Sequence, residues 1–235
     1  MPAVKPKFLR EKDIEAATLC LLAAYGERFG VVQRPPIPVE AILESHLGLL
    51  LSRDDLPKML GIQDALGATW ILDRRVLVDQ NLDPTVYPKK EGRYRFTVAH
   101  ETGHWELHRH AFLNEARQVS LFGTAPKPSI VCRARSRKDP MEWQADTFAG
   151  HLLMPKEMVF ETWREVQGDL DPYVAVDEIA DLSARWGLAE DETPTVSVAR
   201  DLAPRFQVSG QAMQIRLVGL GLILTKTPEP GLFTQ

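Results

Sequence analysis

The chain has 235 residues, with 28 basic and 32 acidic side chains and a formal net charge of −4. Its length suits one domain, or one with a small appendage, and allows a sizeable core. At 44% hydrophobic and 26% charged residues the composition is that of an ordinary globular protein, and the negative charge argues against a surface built to coat nucleic acid. Two cysteines, Cys20 and Cys132, exclude a disulfide-dense scaffold and a zinc module of four thiolates. Both are expected to be reduced thiols, which implies a cytoplasmic protein. No apolar run approaches the roughly 20 residues of a membrane helix, and the polar start of the chain has no signal-like segment. One residue type is unevenly spread: four of the six histidines fall between His100 and His110.

In chain order, Ile14, Ala17, Leu21 and Tyr25 keep helical spacing, and Gly26 and Gly30 close it. This predicts a helix over 11–29. The proline-rich stretch 34–38 is a stiff connector. Residues 39–46 read as a short helix and 47–52 as a strand. Two β-rich runs, 67–73 and 75–79, meet at Asp73-Arg74, which suggests a hairpin. Residues 81–92 read as a loop. Residues 93–110 return to helical spacing, with Phe96, Ala99, Gly103 and Leu107 on one side. The stretch 122–140 holds three prolines and the basic cluster Arg133, Arg135, Arg137 and Lys138, and reads as one long, mobile connection. A strong helix follows over 142–154, stopped by Pro155. The acidic stretch 168–195 shows no clear pattern. Residues 202–222 read as two helical pieces in a helix-turn-helix arrangement, with Ser209 capping the second. Residues 225–235 read as a frayed tail. The outline of helices, small sheet and helices predicts an α+β fold.

The histidine cluster contains His100-Glu101-Thr102-Gly103-His104, an H-E-x-x-H pattern. On a helix, residues four apart share a face, so two imidazoles can converge on one ion. Glu101 lies near the same face, where it can act as general base on a water. A catalytic zinc needs a third protein ligand and an open position. Glu142-Trp143-Gln144-Ala145-Asp146 supplies carboxylates at the same helical spacing. Glu142 would complete the set, and Asp146 could accept a hydrogen bond from the far nitrogen of a ligating histidine. Manganese or iron also suits two imidazoles and a carboxylate.

The run from Arg93 through Val98-Ala99-His100-Glu101 to His104, then 142–149 and Leu152-Leu153-Met154-Pro155, resembles the ImmA/IrrE family of metallopeptidases. The resemblance extends over roughly residues 10–222. It implies a mostly helical zincin-like core with a small antiparallel sheet, and zinc held by His100, His104 and Glu142 beside the base Glu101. It also implies an endopeptidase that cleaves a helix-turn-helix repressor encoded nearby. The chain departs from the family's usual pattern at Gln144, where a second Glu is common, and at Thr102, where an apolar residue is.

Other residues carry weaker expectations. His108 continues the ladder of histidines, but residues four apart overshoot a full turn by about 40° per step, so it is expected to support the site rather than ligate. His108, His151, Tyr94 and Arg133 are candidates to stabilise an oxyanion. The Cys132 thiolate could fill the open metal position, and Arg133 could steer an acidic substrate. Only Gln211, Gln214 and Arg216 could read DNA in the helix-turn-helix segment, so direct nucleic-acid binding is not expected. The expected organisation is a metallopeptidase domain over 1–200, a helical segment over 201–224 packed on or beside it, and a tail over 225–235. The alternative class is a non-catalytic, metal-containing module that binds a repressor or DNA.

Overall fold

The computed structural model describes residues 7–119, 128–133, 139–189 and 192–226. The basic cluster beyond Arg133, at 134–138, and most of the expected tail lie outside the described residues. The chain divides into two compact units, 1–153 and 154–235.

The first unit begins with helix α1 (Glu11–Phe29), the span its apolar spacing predicts. Arg10 and Asp13 pair at 2.9 Å across its first turn, and Gly30, at φ +96°, returns its N–H to Gly26 O. The expected short helix is split into α2 (Val39–Ala41) and a wider π-helical turn (Ile42–His46). Strand β1 (Leu50–Asp54) lies a few residues later than its sequence pattern suggests. After α3 (Leu56–Leu60) come β2 (Ala65–Trp70) and β3 (Arg75–Asp79), the expected antiparallel hairpin. The long helix α4 (Glu91–Val119) runs well past the expected end at residue 110.

The stretch expected to be one long connection contains a strand, β4 (Ile130–Arg133). The sheet order is β1-β3-β2-β4, and β1 joins β3 in parallel. The sheet is therefore mixed rather than purely antiparallel. Helix α5 (Pro140–Leu153) completes the unit and packs against both α4 and α1.

Pairing registers fix what each sheet face carries. Ala68 lies opposite Leu77 and Val131, and these pack with Leu56, Ala65 and Trp70 on the α3 side. Gly67 and Thr69 alternate to the other face, toward α4. Helix α4 is buried without a break from Thr97 to Trp105, so its polar side chains there must find partners inside the protein. Thr97 and Thr102 meet that demand locally, donating to Arg93 O and Val98 O four residues back. Gly103 lets α5 come close, since a Cβ there would lie 3.1 Å from Phe148.

The second unit holds α6 (Lys156–Gln167), β5 (Tyr173–Val174), α7 (Val176–Trp186), α8 (Ser197–Phe206), α9 (Gly210–Gly219) and β6 (Ile223–Leu224). The acidic stretch thus contains a strand and a helix. Helices α8 and α9 are the two expected helical pieces, and Ser209 Oγ caps the second by accepting from Ala212 N–H at 3.1 Å. Trp163, Phe206, Met213 and Leu217 are buried in this unit. Among the described residues, no helix is long and apolar enough to cross a membrane.

Candidate metal centre

The H-E-x-x-H residues fall in the fully buried part of α4, and Glu142 and Asp146 lie on α5, which packs along it. The four-residue spacing works on both helices at once. His100 Nε2 and His104 Nε2 lie 2.9 Å apart. Glu142 spans the pair, with Oε2 3.4 Å from His100 Nε2 and Oε1 3.3 Å from His104 Nε2. For ligand bonds of about 2.0–2.1 Å, the edge of a zinc coordination tetrahedron is about 3.4 Å. The two histidine–Glu142 spacings match that edge and the histidine–histidine spacing is shorter, so the donor set can close on a small divalent ion with a slight spreading of the imidazoles.

Each histidine is held from behind. His100 Nδ1 lies 2.9 Å from Asp146 Oδ1. A carboxylate there requires the proton on Nδ1 and leaves the Nε2 lone pair for a metal. His104 Nδ1 lies 3.0 Å from His108 Nδ1, and Gln144 stands buried beside His108. With His104 ligating through Nε2, its Nδ1–H donates to His108 Nδ1, which leaves the proton of His108 on Nε2.

The electrostatics follow from burial and charge. Burial opposes ionisation of Glu142, yet its hydrogen bonds to His100 and His104 hold its carboxyl down at about 2. Burial acts to lower His100, but Cys132, Asp146 and Glu142 together hold it well above its ordinary value. Burial keeps His104 low and, with the neighbouring His104, pushes His108 down to about 3.

Glu101 is fully buried, and burial pushes its carboxyl up to about 7. Oε2 accepts a 2.6 Å hydrogen bond from Thr69 Oγ1 on β2. Oε1 is buried and has no hydrogen-bond partner among the described residues. It sits over Gly67, where a Cβ would come within 2.4 Å of it. Neither Gly67 nor Thr69 stands out in the sequence. The available signal was a glycine and a threonine at alternate positions of an otherwise apolar strand, on the face that meets α4.

The remaining candidates are placed as follows. Cys132 is buried on β4, its sulfur within 4.8 Å of donor atoms of His100 and Glu101. Arg133 alternates to the opposite face, is half-exposed and pairs with Asp64 at 3.5 Å. His151 pairs with Glu11 and Glu15 on α1. Tyr94 is bonded to Glu40 and Arg53. Of the four oxyanion candidates, therefore, three are engaged away from the metal donors and His108 lies behind His104. In the second unit, Gln214 bonds Val196 N and Pro194 O, and Arg216 bonds Met154 O. Gln211 alone of the three expected base readers is exposed.

A family model described as peptidase M78, the IrrE N-terminal-like domain, matches residues 74–218. The chain belongs to this family. The matched region carries all three metal donors, Glu101 and Asp146, and extends to the end of α9. For this IrrE-like chain, family and donor set together point to a metallopeptidase. Gly67 and Thr69, which position Glu101, precede the matched region. Comparison with curated proteins gives no match.

Proposed function

We propose that the protein is a zinc-dependent endopeptidase that cleaves a helix-turn-helix repressor and so relieves repression. The observation that carries the reading is the convergence of His100, His104 and Glu142 donors within 3.4 Å, next to a buried carboxylate with one free oxygen. Zinc is the metal of choice because the set is two imidazoles and a carboxylate, the ligand chemistry of a catalytic zinc. When bound, the ion supplies Lewis acidity for attack of water on a peptide carbonyl.

The chain's own groups do the rest. Thr69 fixes Glu101 through Oε2, leaving Oε1 to take a proton from the attacking water and return it to the leaving amine. Asp146 and His108 hold the two imidazoles in the tautomers that present Nε2. The repressor substrate rests on the resemblance to ImmA/IrrE peptidases. The internal bonding of Gln214 and Arg216 favours a peptidase over a DNA reader. A cytoplasmic location agrees with the two free thiols.

The test incubates the chain with helix-turn-helix repressors encoded beside it, with zinc or chelator, read by intact mass. The expected result is one zinc-dependent cut. Glu101→Gln should retain zinc and slow the cut by on the order of 10²–10⁴-fold. Wild-type cleavage by that variant would remove Glu101 from the mechanism, and cleavage in chelator would remove the metal.

A further inference from the structure

His100, Glu101 and Cys132 form a second group of possible ligands, with donor atoms all within 4.8 Å of one another. It shares His100 with the His-His-Glu set. Cys132 reaches this position through sheet register. It lies opposite Gly67 across the β2–β4 ladder, so its side chain is on the Gly67 and Thr69 face, toward α4. The pairing shifts register between Ala65 and Gly67, and such irregularities re-aim side chains beside sites. Structural buried thiols behave as small apolar groups. This one faces an imidazole and a carboxylate whose Oε1 is fully buried and unpartnered. A thiolate and an imidazole that share one zinc ion sit about 3.6 Å apart. Sγ is grouped with His100 and Glu101 and not with His104 and Glu142, so sharing their ion takes an inward shift of β4.

We propose that Cys132 Sγ is a fourth protein ligand of this metal centre, supplied by the edge strand β4. The inference rests on the metal-centre reading above and adds a closed resting state to it. With two imidazoles, one carboxylate and one thiolate in place, no position is open for a substrate carbonyl. β4 is four residues long and is hydrogen-bonded to β2 alone among the described strands, so the sulfur sits on an edge of the sheet. Departure of the sulfur from the ion opens the site.

X-ray absorption on the full chain loaded with one equivalent of zinc tests the proposal, with cobalt substitution as a second reading. The wild type should show a sulfur neighbour at about 2.3 Å and, with cobalt, an intense thiolate charge-transfer band. Both should vanish in Cys132→Ser and Cys132→Ala while one ion remains bound. Both should persist in Cys20→Ser, since Cys20 is an exposed thiol on α1. One bound ion with only nitrogen and oxygen neighbours in the wild type overturns the proposal and leaves the peptidase reading intact. A chain that binds no ion overturns both.

Discussion

Helix α4 joins two polar clusters, one partly exposed and one buried, and they are built to opposite rules. Near its start, the Tyr94 hydroxyl accepts from Arg53 Nη2 at 2.6 Å and donates to Glu40, while Arg53 pairs with Glu40 at 3.1 Å. The Arg53 guanidinium also lies over the Tyr94 ring, 4.8 Å from its centroid. Every group there has a partner in the chain. Two turns later, His100, His104 and Glu142 bring their acceptor-capable atoms together, and Glu101 Oε1 has no hydrogen-bond partner among the described residues. A buried polar atom left unpaired costs about 1–3 kcal/mol, and donors brought together in this way can recover such a cost by holding an ion. The first cluster ties α4 to the elements before it. The second has the donor set to hold an ion.

That contrast can be attacked from the strongest effect downward. His104→Ala removes one of three donors and should weaken zinc binding by more than about 100-fold, seen as loss of stoichiometric metal by elemental analysis. Full metal retention would break the contrast. Asp146→Asn should leave the donors in place but misorient His100, weakening zinc by about 10–100-fold in a competition titration. Gly67→Ala drives a methyl against Glu101 and Thr97. It should lower stability by about 1–3 kcal/mol in urea denaturation and slow cleavage while metal stays bound. Tyr94→Phe should cost only about 1 kcal/mol and leave zinc affinity unchanged, because the Arg53–Glu40 pair survives it.

The donors were legible because their geometry is local. Residues four apart on a helix share a face whatever surrounds them, so His100 with His104, and Glu142 with Asp146, could be paired from spacing alone. The meeting of the two helices came from the chemistry of zinc, which demands a third ligand. What could not be read was long-range pairing. Ile130–Arg133 is a four-residue strand next to prolines, and its partner β2 lies some 60 residues earlier. Nothing local distinguishes it from a loop, so the face on which Cys132 and Arg133 lie was invisible. The parallel junction of β1 with β3 has the same origin. Helix α4 was underestimated because 111–119 lacks the apolar spacing that marks its first half. Gln144 was visible only as a departure from a family pattern, and its place beside buried His108 emerged from helix packing.

Gly67 gives the H-E-x-x-H motif a condition that the motif itself does not state. A glycine inside a strand weakens the strand, contributing no side chain to the sheet. Here its bare backbone is the mould for the Glu101 carboxylate. A relative could keep His100, Glu101 and His104 letter for letter, replace this one glycine, and lose the geometry that makes the glutamate useful. In this fold, an intact motif therefore does not certify a working site. The missing atom on β2 is as much part of the signature as the residues on α4.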